Sequence, residues 1–197
     1  ASPEHRRNRS VRRAVGGAMI DPVIELSVCF ALALLFAAAA WHKASDRLRF
    51  GAVVGAYKLL PSWLVAPAAR LLPLLETSIA VGLLYPPSRD ATAFAAIALL
   101  ALYTLAISVN IARGRRDIDC GCFAASARVP LSRWLVVRNI ILIVAACALL
   151  LPTRARTLIW VDGLTVVTAL ITLSLLWTAG QRLANTGPSL RRLGGAR

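Results

Sequence analysis

The 197-residue chain contains little charge, and acidic charge is especially scarce. Charged residues make up 16% of the sequence, with 9 Asp and Glu against 23 Lys and Arg, so that the net charge is +14. An ordinary soluble domain is about a quarter charged. A chain with so few charges is neither disordered nor typical of nucleic-acid-binding proteins, despite its basic balance.

Cysteine and histidine are scarce as well. The four cysteines include Cys120 and Cys122, which one glycine separates, and they are too few and too unevenly spaced for a small secreted disulfide scaffold. A zinc site usually has four ligands, and His5 and His42 are the only histidines in the sequence. These counts disfavour a structural metal site.

Apolar residues, by contrast, make up 58% of the chain, and the mean hydropathy is +0.67. A helix needs about 20 apolar residues to cross the bilayer core, and five stretches meet that requirement. The five tryptophans lie near the ends of these stretches, at the depth that indole rings favour. We therefore predict an all-α fold, a polytopic membrane helix bundle of four core transmembrane helices plus a fifth. The predicted spans cover residues 23–41, 64–85, 91–112, 134–151 and 157–179.

The two ends of the chain are polar and basic. Residues 1–22 are predicted to form a basic N-terminal tail, residues 23–179 the transmembrane bundle with a Cys-Gly-Cys loop at 113–132, and residues 180–197 a basic C-terminal tail. Met19, the only methionine, is a candidate native start. The alternative is that the residues before it form a tail that binds anionic lipid.

Six polar residues are expected to surround one pocket. With five spans, the loop after span one, the loop after span three and the C-terminus share one face of the membrane. Glu76 and Arg138 lie inside spans, where an ionisable group is costly and marks a partner or a functional site, so we expect them to form an ion pair. The alternatives are a purely structural clamp for this pair and interfacial anchoring for Lys43 and Tyr57. The predicted pocket residues are Glu76, Arg138, Asn139 and Asn110, with Lys43 and Tyr57 at the mouth.

Cys120 and Cys122 are the predicted reactive residues. Two thiols one residue apart form only a strained disulfide, and a strained disulfide is easily reduced, which suits thiol–disulfide exchange. The arginines within residues 113–116 add positive charge, which favours the nucleophilic thiolate. A metal half-site and two unreactive loop thiols are the alternatives. Cys29 and Cys147 lie in apolar spans, where we expect them to be dispensable, with a second buried pair as the alternative.

Short motifs along the chain point to a family. The most specific is Asp119-Cys120-Gly121-Cys122-Phe123, followed later by Arg138-Asn139. Further motifs are residues 39–43 (AAWHK), 56–61 (AYKLLP) and 72–76 (LPLLE), and Asn110 with residues 113–115 (RGR). Through these motifs, which spread over residues 19–151, the chain resembles the methylamine-utilisation protein MauE family of the wider DoxX-like membrane proteins. Family members usually have glycine at the position of Ala124.

The resemblance implies a role in assembling the disulfide-rich small subunit of methylamine dehydrogenase outside the cytoplasm, beside a thioredoxin-like partner. The layout also looks like the quinone-linked vitamin K epoxide reductase bundles, which makes a quinone the candidate cofactor. The expected function is an integral-membrane thiol–disulfide redox protein of the lipid bilayer, which exchanges disulfides with a thioredoxin-like protein or a cysteine-containing substrate protein. The alternatives are a noncatalytic scaffold or maturation subunit and a small-molecule transporter.

Two arguments about membrane orientation oppose each other. The predicted face of the cysteine loop carries 13 Lys and Arg outside the spans, and the other face carries 8. The positive-inside rule places the cysteines in the cytoplasm, whereas disulfide chemistry favours the oxidising side. Because of the role that the resemblance implies, we expect a multi-pass protein of the cell membrane with its cysteine loop on the extracytoplasmic face.

Overall fold

The computed structural model describes residues 19–115, 133–154 and 156–194, and for residue 177 and residues 180–194 it describes the backbone alone. Within these ranges the chain forms six α-helices and one short 3-10 turn. The helices are α1 (Pro22–Ser45), α2 (Arg47–Ala56), α3 (Ser62–Leu84), α4 (Arg89–Ala112), α5 (Arg133–Ala148) and α6 (Trp160–Gly194), and the 3-10 turn is Pro86–Ser88.

Three helical segments of the described chain are long and apolar enough to cross a bilayer, namely α1, α3 and the segment Pro86–Ala112 that ends with α4. The other two predicted spans correspond to α5, which has 16 residues, and to the apolar stretch Trp160–Leu176 of α6. The predicted all-α membrane bundle is thus confirmed. One difference is that α6 continues to Gly194, into the region predicted as a tail.

Local sequence explains where α1 begins and why α3 tolerates two prolines. Asp21 caps α1 by accepting a hydrogen bond from the backbone N of Val23 at 2.9 Å, and Pro22 occupies the first turn, where a missing N–H costs nothing. Pro67 and Pro73 lie inside α3. A proline inside a helix frees the carbonyl four residues earlier, here those of Trp63 and Ala69, and a membrane bundle accepts this where neighbouring groups satisfy that carbonyl.

The short helix α2 was not predicted, and it shapes the region between α1 and α3. Asp46 starts it by accepting from the backbone N of Arg49 at 3.0 Å. It ends at Tyr57, after which Lys58 has a φ of 48°, a left-handed conformation that reverses the chain toward α3. Helix α2 packs along α3 and buries Phe50.

Small side chains allow the long helices to approach closely. The most extensive packing is between α1 and α3 and between α4 and α5, and the α3–α4 contact joins these two pairs. The core between the helices combines large residues such as Phe36 and Leu83 with fully buried alanines such as Ala93, Ala96 and Ala146. Association inside a membrane depends on this kind of close packing rather than on a hydrophobic driving force.

Polar contacts join the ends of the bundle where α1 and α6 begin. Arg156 bridges Asp21 and Asp162, with Nε 3.0 Å from Asp21 Oδ2 and a terminal nitrogen 2.9 Å from Asp162 Oδ1. Nearby, Glu25 forms an ion pair with Arg89 and accepts from Thr153 Oγ1 at 2.6 Å. These contacts connect residues before α1 and at the start of α4 to the segment before α6. Glu25 and Asp162 thus lie together, at the end opposite to the predicted pocket.

The closest approach between α3 and α4 requires a glycine. A Cβ at Gly82 would overlap Thr92 Cγ2 and lie 3.2 Å from Thr92 Cβ. We expect Gly82→Ala to lower the free energy of unfolding by about 1–3 kcal/mol, because overpacking must push the two helices apart. Thermal unfolding in detergent measures this loss. Thr92→Ser in the same chain should recover part of it, and Gly51→Ala, where nothing lies within 4 Å, is the control.

Acid should weaken the contact that Arg156 makes with Asp21. The hydrogen bond from Arg156 holds the pKa of the Asp21 carboxyl below its ordinary value of 3.8. Since the folded state has the lower pKa, the stabilisation is present above pH 3.8 and is lost as the pH falls through the lowered value. The difference in thermal stability between wild type and Arg156→Gln, measured from pH 7 downward, should therefore shrink below pH 3.8. A constant difference would contradict this.

Candidate functional site

A buried ion pair lies at the centre of the candidate site. The ammonium of Lys43 on α1 pairs with Oε1 of Glu76 on α3 and donates to the hydroxyl of Tyr103 on α4 at 3.1 Å. The Tyr103 hydroxyl in turn donates to Glu76 Oε1 at 2.8 Å. Lys43 is 3% exposed and Glu76 is 1% exposed. These three side chains, called the triad below, therefore hold two opposite charges in a low-dielectric interior.

Aromatic rings complete the surroundings of the lysine. The Lys43 nitrogen lies 4.5 Å from the centroid of the Tyr103 ring and 5.2 Å from that of Phe50. Both distances are within the range of a cation–π interaction, which is stronger where the cation is desolvated. Phe50 comes from α2, so this short helix contributes directly to the site.

Two residues of α5 face the triad across a small cavity. Asn139 Oδ1 accepts from two nitrogens of Arg138, Nε at 3.3 Å and a terminal nitrogen at 3.1 Å, and both residues are buried. A cavity of about 20 Å³ is lined by these two side chains together with Lys43, Glu76 and Tyr103. The structure thus brings four of the predicted pocket residues together around one small polar space.

A second, larger cavity lies on the other side of Tyr103. It measures about 400 Å³, is partly open to the outside of the bundle, and is lined by side chains of α2, α3 and α4 and of the loop after α2. Apart from Tyr57 and Tyr103, every residue that lines it is aliphatic or is Phe50, among them Leu72, Leu102 and Ile107. Tyr57 also packs against a small buried cluster formed by Ile107 and Leu135. This space accepts hydrocarbon rather than charge.

Asn110 is buried near the end of α4 but is not part of the small cavity. Its side chain is 0% exposed, and its Nδ2 donates to the backbone carbonyl of Ala106 at 3.0 Å. Among the described contacts, its Oδ1 has no hydrogen-bond partner. An unpaired buried acceptor is costly, so Asn110 is a second polar position that the packing of α4 alone does not explain.

The structure changes the roles expected for two residues. Lys43 was expected at the pocket mouth, but α1 extends to Ser45, and the lysine lies inside the bundle. Glu76 forms an ion pair with Lys43, which was not predicted, and Arg138 lies at the same small cavity, where it also bonds to Asn139. Tyr103 was missed, although a lone tyrosine in a charge-free span usually needs a partner for its hydroxyl.

The cysteines fall into two groups. Cys120 and Cys122 lie outside the described residues, in the segment that joins α4 to α5. Cys29 is buried, Cys147 is exposed on the outer surface of α5, and both are free thiols. The alternative of a second buried pair is therefore wrong, because the two side chains differ in burial and form no disulfide.

Comparison with known proteins identifies the class and then the family. The fold is that of a multi-pass helical membrane protein with a buried charged site, and residues 21–152 match the family model "Methylamine utilisation protein MauE". The chain belongs to this MauE family. No solved structure matches it.

Curated relatives agree with this assignment, and each carries the name methylamine utilization protein MauE. The protein from Methylophilus methylotrophus is 38% identical over 81% of this chain and 85% of its own length. The protein from Methylorubrum extorquens is 43% identical over 68% of this chain and 73% of its own length. The protein from Paracoccus denitrificans is 39% identical over 66% of this chain and 70% of its own length.

The buried ion pair should show strong energetic coupling. Removing one partner leaves the other charge buried without its counter-charge, so Lys43→Met or Glu76→Gln alone should lower the free energy of unfolding by about 3–5 kcal/mol. The double variant should lose less than the sum of the two single losses. Thermal unfolding in detergent provides the double-mutant cycle.

Lys58, the only other lysine of the sequence, is exposed and supplies the matched control. Lys58→Met should change stability little and should show no coupling to Glu76→Gln. Additive losses for Lys43→Met and Glu76→Gln would show that the pair does not stabilise the bundle as a unit.

Proposed function

We propose that this chain is an integral-membrane thiol–disulfide exchange protein of methylamine utilisation, in which Cys120 and Cys122 are the reactive pair. The observation that carries the proposal is the Cys-Gly-Cys motif in a chain of the MauE family. The motif lies in the connection between α4 and α5, the two helices that hold Tyr103 and Asn139 of the buried polar site. In the sequence, the proposed reactive pair therefore lies between two helices that contribute to the buried polar site.

The proposed reaction is exchange with the thiols of a substrate protein. A substrate thiolate attacks the Cys120–Cys122 disulfide, a mixed disulfide forms with one cysteine, and the other cysteine leaves as a thiolate. A second substrate thiolate then attacks the mixed disulfide, so that the substrate gains a disulfide and this pair becomes a dithiol. Two electrons pass from substrate to pair. The disulfide of a thioredoxin-like partner restores the pair by the reverse exchange and becomes reduced itself.

On this proposal, the buried site supports the chemistry by positioning the helices that flank the cysteine segment. Lys43, Glu76 and Tyr103 tie α1, α3 and α4 together, and Arg138 and Asn139 extend the polar surroundings to α5. These contacts hold α4 and α5 in fixed positions on either side of the segment that connects them. On this proposal, Asn110 and Tyr57 occupy the same end of the bundle and help to shape it.

The proposed setting is the cell membrane, with the cysteine segment on the extracytoplasmic side, where disulfides persist. As an alternative to the disulfide of the partner, a lipid-soluble quinone is the proposed oxidant of the Cys120/Cys122 dithiol, from which it takes two electrons and two protons. The 400 Å³ cavity has the apolar walls that the hydrocarbon part of such a molecule requires. Labelling of single cysteines in intact cells with a membrane-impermeant maleimide tests the orientation.

Substitution of the pair tests the proposed function directly. Cys120→Ser and Cys122→Ser should each abolish maturation of the cysteine-containing substrate while membrane abundance stays normal. One of the two variants should also retain a mixed disulfide with the thioredoxin-like partner, because its remaining thiolate attacks the disulfide of the partner and no neighbouring thiol is left to resolve the adduct. Complementation of a deletion strain, with non-reducing electrophoresis of trapped adducts, measures both effects.

Cys29→Ala and Cys147→Ala are the matched controls and should keep full activity, because both thiols are free and lie in helices. Full complementation by both variants of the pair would exclude thiol exchange. A pair that stays in one redox state throughout maturation would instead favour a noncatalytic scaffold.

A further inference from the structure

Asn139 presents a buried donor that no group of the described residues satisfies. The residue is 1% exposed, and within the described chain its Nδ2 has no hydrogen-bond partner. Reversing the amide would not help, because Oδ1 already accepts from two nitrogens of Arg138, at 3.3 and 3.1 Å. The reversed amide would set its own donors against the guanidinium, which has donors only. The orientation of the amide is therefore fixed, and its N–H groups need an acceptor from elsewhere.

The space next to this amide is the small cavity. Its volume is about 20 Å³, and its walls combine five apolar side chains with five polar ones, which are Asn139, Arg138, Glu76, Tyr103 and Lys43. A buried water needs about 10–15 Å³ and two to four polar partners. The cavity is therefore large enough for one water molecule and too small for two, and its walls offer both donors and acceptors.

We propose that one ordered water molecule occupies this cavity and joins the triad to α5. The water accepts a hydrogen bond from Asn139 Nδ2 and donates to the carboxylate of Glu76. Water can do this because it both accepts and donates, whereas the amide N–H groups only donate and the carboxylate only accepts.

The water adds a link between the triad and the polar residues of α5. Lys43, Glu76 and Tyr103 connect α1, α3 and α4 directly, and Arg138 and Asn139 lie side by side on α5. A bridge from Glu76 to Asn139 makes the Glu76 carboxylate the common acceptor for all four helices. Glu76 then acts as the central positioning residue of the bundle.

Solid-state NMR of the full chain in lipid bilayers tests this proposal. The sequence has four asparagines, so that ¹⁵N-asparagine labelling gives four side-chain amide signals, and single Asn→Asp variants assign them. Magnetisation should pass from water protons to the Asn139 amide at short mixing times. Asn110 is the internal reference, because it is also buried but does not line this cavity. Its transfer should be the same in the wild type and in a variant that fills the cavity.

A cavity-filling variant supplies the second measurement. Ala39 lines the small cavity, and Ala39→Val adds two carbons there without touching any polar group. Transfer to Asn139 should be lost in this variant while the remaining amide signals stay in place. If the Asn139 amide in the wild type receives no transfer at short mixing times, or if Ala39→Val leaves its transfer unchanged, the proposal is overturned. Neither measurement depends on Cys120 or Cys122, so its result is independent of the proposed redox function.

Discussion

The rest of the structure depends on the ion pair between Lys43 and Glu76. Each charge is almost fully buried, and each would be too costly to hold alone inside a membrane bundle. The pair is tolerable because Tyr103 adds hydrogen bonds to both partners and two aromatic rings face the ammonium. A buried pair of this kind contributes less to stability than hydrophobic packing of the same volume would. Its value lies in fixing one arrangement of α1, α3 and α4, since any other register would separate the charges.

The two ends of the bundle use charge differently. At the end where α1 begins, Arg156 bridges Asp21 and Asp162, and the arginine and Asp21 are 38% and 40% exposed. Pairs with such exposure are screened by solvent and salt and contribute little each. They connect the segment before α6 to the start of α1. The triad, by contrast, is desolvated, so that its geometry is far more constrained. The triad is therefore the most deeply buried of the described ion-pair sites.

Hydropathy predicted most of the fold, and the reason is physical. A helix inside a bilayer must satisfy its backbone internally, so runs of apolar residues map closely onto helices even across Pro67 and Pro73. The short helix α2 escaped prediction because its sequence RLRFGAVVGA contains two glycines and too few apolar residues for a span. The Asp46 cap and packing on α3 explain why this segment is helical. Packing against another helix cannot be recognised from the sequence of the segment alone.

Most residues of the site were predicted from the sequence, but the ion pair between Lys43 and Glu76 was not. Glu76 and Arg138 stood out because charge inside a span is costly, whereas Lys43 resembled an anchor near a span end. Pairing depends on where each helix stops and on its rotation about its own axis. Here α1 runs four residues past Trp41, and the lysine side chain turns inward toward Glu76. Arg138 was the predicted partner of Glu76 because both residues lie inside spans, and in the structure it also donates to its neighbour Asn139.

Tyr103 explains how a polar and an apolar space exist side by side in one bundle. Its side chain lines both cavities, with its hydroxyl bound to Lys43 and Glu76 and its ring forming part of the wall of the 400 Å³ space. A tyrosine is suited to this position because one end of its side chain is polar and the body is apolar. An aliphatic residue here would leave the charges short of a hydrogen-bond partner, and a shorter polar residue would open the apolar cavity onto them. The separation between the two spaces therefore depends on a single side chain.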